Sequence, residues 1–199
     1  MNTVISKLRN LTGDNFKSFA DFFQYNGISS TFTLTESNVD STSILVQKNG
    51  SLWASSNYSF DVSTNKVYVT GTLVAGDILE ITYSYYSKYS DTEMKGYIRA
   101  ALSYLAVEKY EVFKAGSDNE IFPTPTEAEE NLIALIASIV IQGSIRAYRT
   151  PEITIDFNEK LTKEEKIHHA IWMFRKAYGV TKYIKTDRDT TIPKEDEYV

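Results

Sequence analysis

The chain has 199 residues, 42% of them hydrophobic and 13% aromatic, with four prolines and nine glycines, so it is a folding chain sized for one ordinary domain or two small ones. A formal net charge of −5 and a pI near 5.2 argue against a dedicated nucleic-acid binder, whose affinity comes from neutralising phosphates. The absence of cysteine excludes disulfides, thiolate metal sites and cysteine nucleophiles.

The opening MNTVISKLRNLTGDNF has neither the apolar core nor the cleavage site of a signal peptide, which predicts synthesis and folding in the cytoplasm. Val4, Ile5, Leu8 and Leu11 fall at helical spacing and Gly13 follows as a stop, predicting a short helix over Thr3–Leu11. Such a helix is too short to persist undocked.

From Phe16 to Tyr86 the apolar period becomes two. Candidate strands are Phe19–Tyr25, Thr31–Thr35, Ser43–Lys48, Asn57–Asp61, Lys66–Thr70 and Asp77–Tyr86, separated by Asn26-Gly27, Asn49-Gly50, Thr64-Asn65 and Ala75-Gly76-Asp77. Short strands at this spacing predict an antiparallel sandwich or small barrel. The last strand sends Leu79, Ile81, Tyr83 and Tyr85 to one side. Tyr58, Tyr68, Tyr83, Tyr85, Tyr86 and Tyr89 fit either a sugar-binding platform or, with more weight, the strand and interface positions that pleated surfaces favour.

At Ser90 the period turns helical. Ser90 and Glu93 have capping-box spacing, and Tyr97, Ile98, Ala101, Leu102, Leu105, Ala106, Tyr110 and Phe113 form one apolar stripe that ends at Gly116. Phe122-Pro123-Thr124-Pro125 reads as a stiff linker. Then comes the stretch around which the chain is arranged, Thr126–Arg149, with a second capping box at Thr126 and Glu129 and a run from Leu132 to Ile141 that is apolar on nearly every side. Interrupted by Glu130, Asn131, Gln142 and Arg146, the run falls short of the roughly 20 apolar residues that cross a bilayer, so no membrane is expected. It is predicted to be a central helix enclosed by protein, its charged ends near Glu127 and Arg146–Arg149 facing neighbouring subunits.

Pro151 is read as the stop of that helix, and 152–157 as a brief extended segment with Ile153, Ile155 and Phe157 on one side. A third capping box, Thr162 and Glu165, opens a helix running to Gly179. Tyr183 to Val199 loses periodicity and reads as a polar arm. The predicted fold class is α+β: a helical bundle of three long helices plus a short N-terminal one, with an inserted antiparallel β-sandwich or small barrel. The domains expected are 1–14 with 88–179 (helical), 15–87 (β) and 180–199 (arm).

No catalytic, cofactor or metal residue is predicted. Glu127, Glu129 and Glu130, like Glu164 and Glu165, sit in first helical turns, where the dipole favours negative charge. His168 and His169, adjacent on a helix, point about 100° apart and lack the acid of an HExxH motif. Phosphate-loop, dinucleotide-binding and GxSxG patterns are absent. Lys160, Lys163, Lys166, Arg175, Lys176, Lys182, Lys185 and Arg188 form either a solvated helix face or a path for DNA.

Two stretches carry a resemblance. YSDTEMKGYIRAALSYLAVEKYEVF with IFPTPTEAEENLIALIASIVIQGSIRAYRTPEITIDFNEKLTKEEKI resembles the helical head–tail connector (adaptor, or neck) proteins of tailed bacteriophages. TFTLTESNVDSTSILVQKNGSLWASSNYSF with VYVTGTLVAGDILEITYSYYS is similar to a β module of phage structural proteins, with its Asn-Gly turn after Val46-Gln47-Lys48, its Tyr58-Ser59-Phe60 strand and its Ala-Gly-Asp turn. Together they cover roughly Val4 to Tyr178, and the β module departs from the smallest connectors, which are helices alone. The resemblance implies a non-enzymatic virion protein of the neck: a homo-oligomeric ring of roughly twelve copies between the portal protein and a tail-side neck or tail protein, around DNA that passes without sequence readout. It further implies that the C-terminal arm reaches a neighbour or the portal. Tyr183, Ile184, Ile192, Tyr198 and Val199 are the expected partner contacts, as apolar residues on a polar arm. Arg146, Arg149, Lys182, Lys185 and Arg188 are candidates for subunit or DNA-channel contacts. The alternative from the residues alone is a β-sandwich binding module for carbohydrate or a host surface, carried on a helical oligomerisation anchor.

Overall fold

The computed structural model of the chain describes residues 1–116 and 120–178. Two compact units are present, one formed by Met1–Thr12 with Lys95–Val199, so far as that segment is described, and the other by Gly13–Met94. The second unit is therefore inserted in the sequence of the first.

The inserted unit holds β1 (Phe16–Gln24), β2 (Thr31–Thr33), β3 (Leu45–Lys48), β4 (Ser51–Leu52), β5 (Tyr58–Asp61), β6 (Lys66–Val69) and β7 (Ile78–Tyr86). They form two antiparallel sheets, ordered β1-β7-β3-β4 and β2-β6-β5. Strict alternation builds them: β7 buries Leu79, Ile81, Tyr83 and Tyr85 and turns the residues between them outward, as expected. Phe32, Val46, Val67 and Val69 join these four in one apolar cluster. Inside it the Tyr83 hydroxyl donates to Asp21 Oδ2 at 2.8 Å, and Asp21 also accepts from the backbone N–H and the hydroxyl of Thr35. Burial first, and the Asp21 carboxylate beside it, raise the Tyr83 pKa well above that of an ordinary phenol.

The expected closure into a sandwich or barrel does not occur. No ladder joins the two sheets, and β2 to β6 are only two to four residues long, too short to carry the stagger that closes a sheet on itself.

The other unit contains α1 (Asn2–Thr12), α2 (Asp91–Val107), β8 (Lys114–Ala115), β9 (Ile121–Phe122), α3 (Glu127–Ile141), β10 (Ala147–Arg149), β11 (Thr154–Asp156) and α4 (Lys163–Tyr178), with the first turn of α2 falling at the boundary. On α3, Leu132 to Ala137 and Ile139 have no exposed surface. Burial of each Leu or Ile there stabilises the unit by roughly 1.5–3 kcal/mol. Two helices pack along α3: α1, which buries Val4, Ile5 and Leu8, and α4, which buries Ile167, Ala170, Ile171 and Phe174. The Thr3 hydroxyl and Lys7 Nζ (3.1 Å) both reach the Glu130 carboxylate, so this charge at the start of α3 is held by α1 of the same chain and not left for a neighbour.

The ends of α3 are sealed as firmly. At its start, Thr126 and Glu129 form the expected reciprocal capping box. At its end, Lys163 Nζ donates to the Val140 carbonyl at 2.8 Å, and buried Lys166 donates to those of Gly143 (2.6 Å) and Ile145 (3.1 Å). Lys163 thus satisfies an orphan carbonyl of the last turn and Lys166 those of the turn that follows, and both cations complement the negative end of the helix dipole.

The expected bundle of three long helices is also overturned. The helices have 17, 15 and 16 residues, and two short hairpins, β8–β9 and β10–β11, occupy the chain between them. The helix expected to end at Gly116 stops at Val107. There the Tyr110 N–H bonds the Leu105 carbonyl and the Lys109 N–H bonds that of Ala106, a Schellman closure with Lys109 at φ 52°. Tyr110 and Phe113 are buried all the same, from the segment after the helix. The central helix, expected to reach Arg149, ends at Ile141. The chain turns at Gln142 and pairs 147–149 with 154–156, which buries Tyr148 and Ile155.

Left-handed backbone is costly for a residue with a Cβ, and lysine lacks the short polar side chain that lets asparagine tolerate it. Lys109→Gly is therefore expected to raise stability by up to about 1 kcal/mol, read as a higher urea midpoint at an unchanged slope. A lower midpoint would show that the helix closure does not depend on this conformation.

Candidate interaction surfaces

The turns that carry the β-module resemblance face each other. The Asn49 side-chain amide donates to Asp77 Oδ1 at 2.8 Å, and its oxygen accepts from the Ile78 N–H at 2.8 Å. Asp77 Oδ2 accepts from the Val74 N–H at 2.7 Å and lies 3.0 Å from Lys48 Nζ. Lys48 in turn donates to the Thr72 carbonyl and sits 5.3 Å from the centre of the Trp53 ring. Gly71 is part of the same arrangement, since a Cβ there would come within 2.9 Å of that ring. Asn49-Gly50 and Ala75-Gly76-Asp77 are thus two halves of a clasp that ties the β3–β4 turn to the start of β7. The backbone N–H of Val74, then Asn49 and Lys48, hold the Asp77 carboxyl down to about 2.

The six tyrosines do not form one displayed platform. Tyr83 and Tyr85 are buried, Tyr58 is half-buried with its hydroxyl donating to the Ile44 carbonyl, and Tyr86 stacks on Phe16 with ring centres 4.1 Å apart. The two histidines go separate ways. His168 Nδ1 lies 3.0 Å from Glu108 Oε2, while His169 stacks on Trp172. Among the described residues, no group of three or more His, Asp or Glu is placed to hold a metal ion.

Of the predicted contact residues, Arg146 and Arg149 lie among the described ones. Arg146 Nε is 3.0 Å from Glu159 and Arg149 is 3.4 Å from Asp156, each pair largely in solvent. Lys182, Tyr183, Ile184, Lys185, Arg188, Ile192, Tyr198 and Val199 lie outside the described residues.

Two surfaces were not foreseen. On α4, Trp172 is half exposed, with Lys176 Nζ 5.4 Å from its ring centre. On the four-stranded sheet, Phe16, Phe22, Leu45, Leu52 and Ile78 are exposed. The signal for the second was present in FKSFADFFQ, where phenylalanines occupy both parities of the strand and so must appear on both faces.

The clasp makes the β unit pH-sensitive. A carboxyl held below its unfolded value stabilises the fold above that value, near 4, and loses the effect as pH falls through the folded value near 2. Asp77→Asn should lower the melting temperature at pH 6 and cost progressively less between pH 4 and pH 2, followed by circular dichroism. A pH-independent difference would remove the carboxylate charge from the account.

In comparison with known proteins, the sequence matches no family model and no curated protein.

Proposed function

We propose that the chain is a structural protein of a tailed phage, a head–tail adaptor that forms a ring between portal and tail around the DNA channel. The observation that supports this reading is the construction of the helical unit. The residues that carry the connector resemblance fold, together with α1, around a helix that is closed on its sides and at both ends. On its surface Arg146 and Arg149 stand in pairs that solvent screens. Its partners on this reading are further copies of itself, roughly twelve in a closed ring, the portal protein, a tail-side neck or tail protein, and DNA engaged by charge alone. The arm 180–199 supplies Tyr183, Ile184, Ile192, Tyr198 and Val199 to neighbouring proteins, while Lys182, Lys185 and Arg188 extend the basic set. The protein acts by geometry, without catalysis, in the virion neck after synthesis in the host cytoplasm.

Electron microscopy of the purified full chain mixed with portal protein tests this directly. A ring seated on the portal is the expected result; two separate species with no ring would overturn the proposal. A second measurement addresses the arginines. Exposed ion pairs of this kind contribute at most about 1 kcal/mol, so Arg146→Glu with Arg149→Glu should melt within a few degrees of the parent. The same variant should fail to form rings, and unimpaired ring formation would remove both residues from the contact surface.

A further inference from the structure

Among the described residues β1 has one neighbour, β7, and its other side is an open edge nine residues long. Which backbone groups point outward follows from the ladder. The Tyr25 N–H bonds the Asp77 carbonyl and the Tyr25 carbonyl takes the Gly76 N–H, so the odd residues of this strand bond inward to β7. On its other side β7 uses its even residues, since the carbonyls of Ile78 and Ser84 accept from Asn49 and Asp40. Phe16, Ser18, Ala20, Phe22 and Gln24 therefore aim their N–H and C=O groups at the open side, and no backbone partner meets them among the described residues.

Open edges of this length are templates for another strand. The side chains decide which strand fits. If β1 meets the β1 of a second copy antiparallel about a two-fold axis, centring on Lys17 sets lysine against lysine, and centring on Asp21 sets aspartate against aspartate. Centring on Ser18 or Ala20 puts charged residues opposite phenylalanine. Centring on Phe19 alone sets Lys17 opposite Asp21, Phe16 opposite Phe22 and Phe19 opposite Phe19, so charge meets opposite charge and ring meets ring. The strand is complementary to itself in that one register. The outward groups of Ser18 and Ala20 then face each other, as do those of Phe16 and Phe22, for about eight inter-strand hydrogen bonds. Asp21, buried and already bonded to Thr35 and Tyr83, keeps those partners, because the register places Lys17 across from it without displacing them.

We propose that β1 is a strand-addition edge whose occupant is β1 of a second copy, joining two four-stranded sheets into one across a two-fold axis. Phe16 (53% exposed) and Phe22 (67% exposed) gain cover on the outer face, and Phe19 gains it at the seam. The contact is small beside a standard interface of roughly 1,600 Å², so dissociation lies on the order of micromolar or weaker. This pairing uses only the β unit and does not rest on the adaptor reading.

The full chain is natively free of cysteine, which gives a test of register. Phe19→Cys places two thiols at a non-hydrogen-bonded pair with Cα atoms about 4.5 Å apart, within disulfide range, and oxidation should yield a covalent dimer on a denaturing gel. Ser18→Cys and Ala20→Cys should each stay monomeric alone and cross-link when mixed. Sedimentation of the uncross-linked chain should show concentration-dependent pairing. Ala20→Pro, which removes an outward N–H while sparing the β7 ladder, should abolish it, and Phe22→Lys should do the same with an intact melting transition should the proline disturb folding. A monomer at every concentration, pairing that survives both substitutions, or cross-linking equally efficient at 18, 19 and 20 would overturn the proposal. Failure to see rings on the portal would leave the Phe19→Cys cross-link unaffected, so the two readings fail separately.

Discussion

A helix that is apolar all round cannot end at its own surface, and most of the helical unit follows from that condition on α3. With Leu132 to Ala137 fully buried, no face is left over for solvent, so cover must come from several directions at once. Part of it comes from α1, at the far end of the sequence, and part from α4. Because α1 precedes the β unit and α3 follows it, the need to cover one helix makes the β unit an insertion. The same condition governs the helix ends: Thr126 with Glu129 closes one, and two lysines close the other, one of them buried. A buried ammonium is tolerable here because it donates to two backbone carbonyls of the turn that follows the helix.

The β unit is held by a different device. Its sheets do not close, so hydrogen-bonded side chains at the turns do what barrel closure would otherwise do. Asn49, Asp77 and Lys48 link one turn to another, and Asp21, Thr35 and Tyr83 link β1 and β7 to the segment after β2. Each carboxylate accepts at least two hydrogen bonds, which is what allows charge to sit where solvent is scarce.

How far the sequence carried depended on whether a feature was local. Capping boxes at Ser90, Thr126 and Thr162 form as read, since both partners lie within one turn. Strands over 16–86 appear within a few residues of expectation, because period two and Asn-Gly turns are local as well. What misled was the ending of helices. The apolar stripe of α2 runs on through Tyr110 and Phe113, and those residues are indeed buried, but Lys109 takes the left-handed position that glycine usually marks. In α3 the stop was assigned to Pro151, whereas the chain leaves the helix eight or more residues earlier, where tertiary contacts with Lys163 and Lys166 reward the turn. Closure of the sheets depends on strand length and stagger between distant segments, which periodicity does not report. Among the site residues, Arg146 and Arg149 were legible as exposed charge. The phenylalanines of β1 were passed over because the strand was started at Phe19, which hid the alternation of Phe16 with Phe22.

In both units the interior and the surface are built on different side-chain chemistry. Interior positions go to sealing α3 and to the β cluster, and the buried ionisable groups Asp21, Glu129 and Lys166 are committed to backbone or side-chain partners. A committed group cannot exchange protons or ligands without loosening the fold that holds it. Among the described residues, the outside presents the screened arginines near β10, the half-exposed Trp172 on α4 and the open edge of β1. Of these the edge is the most demanding, because backbone donors and acceptors in a row are specific only for another strand, whereas charge and a lone aromatic accept many partners. Specificity in this chain therefore rises with the regularity of the surface, and the strand whose pattern of Lys17, Phe19 and Asp21 is complementary to its own reverse is where it is greatest.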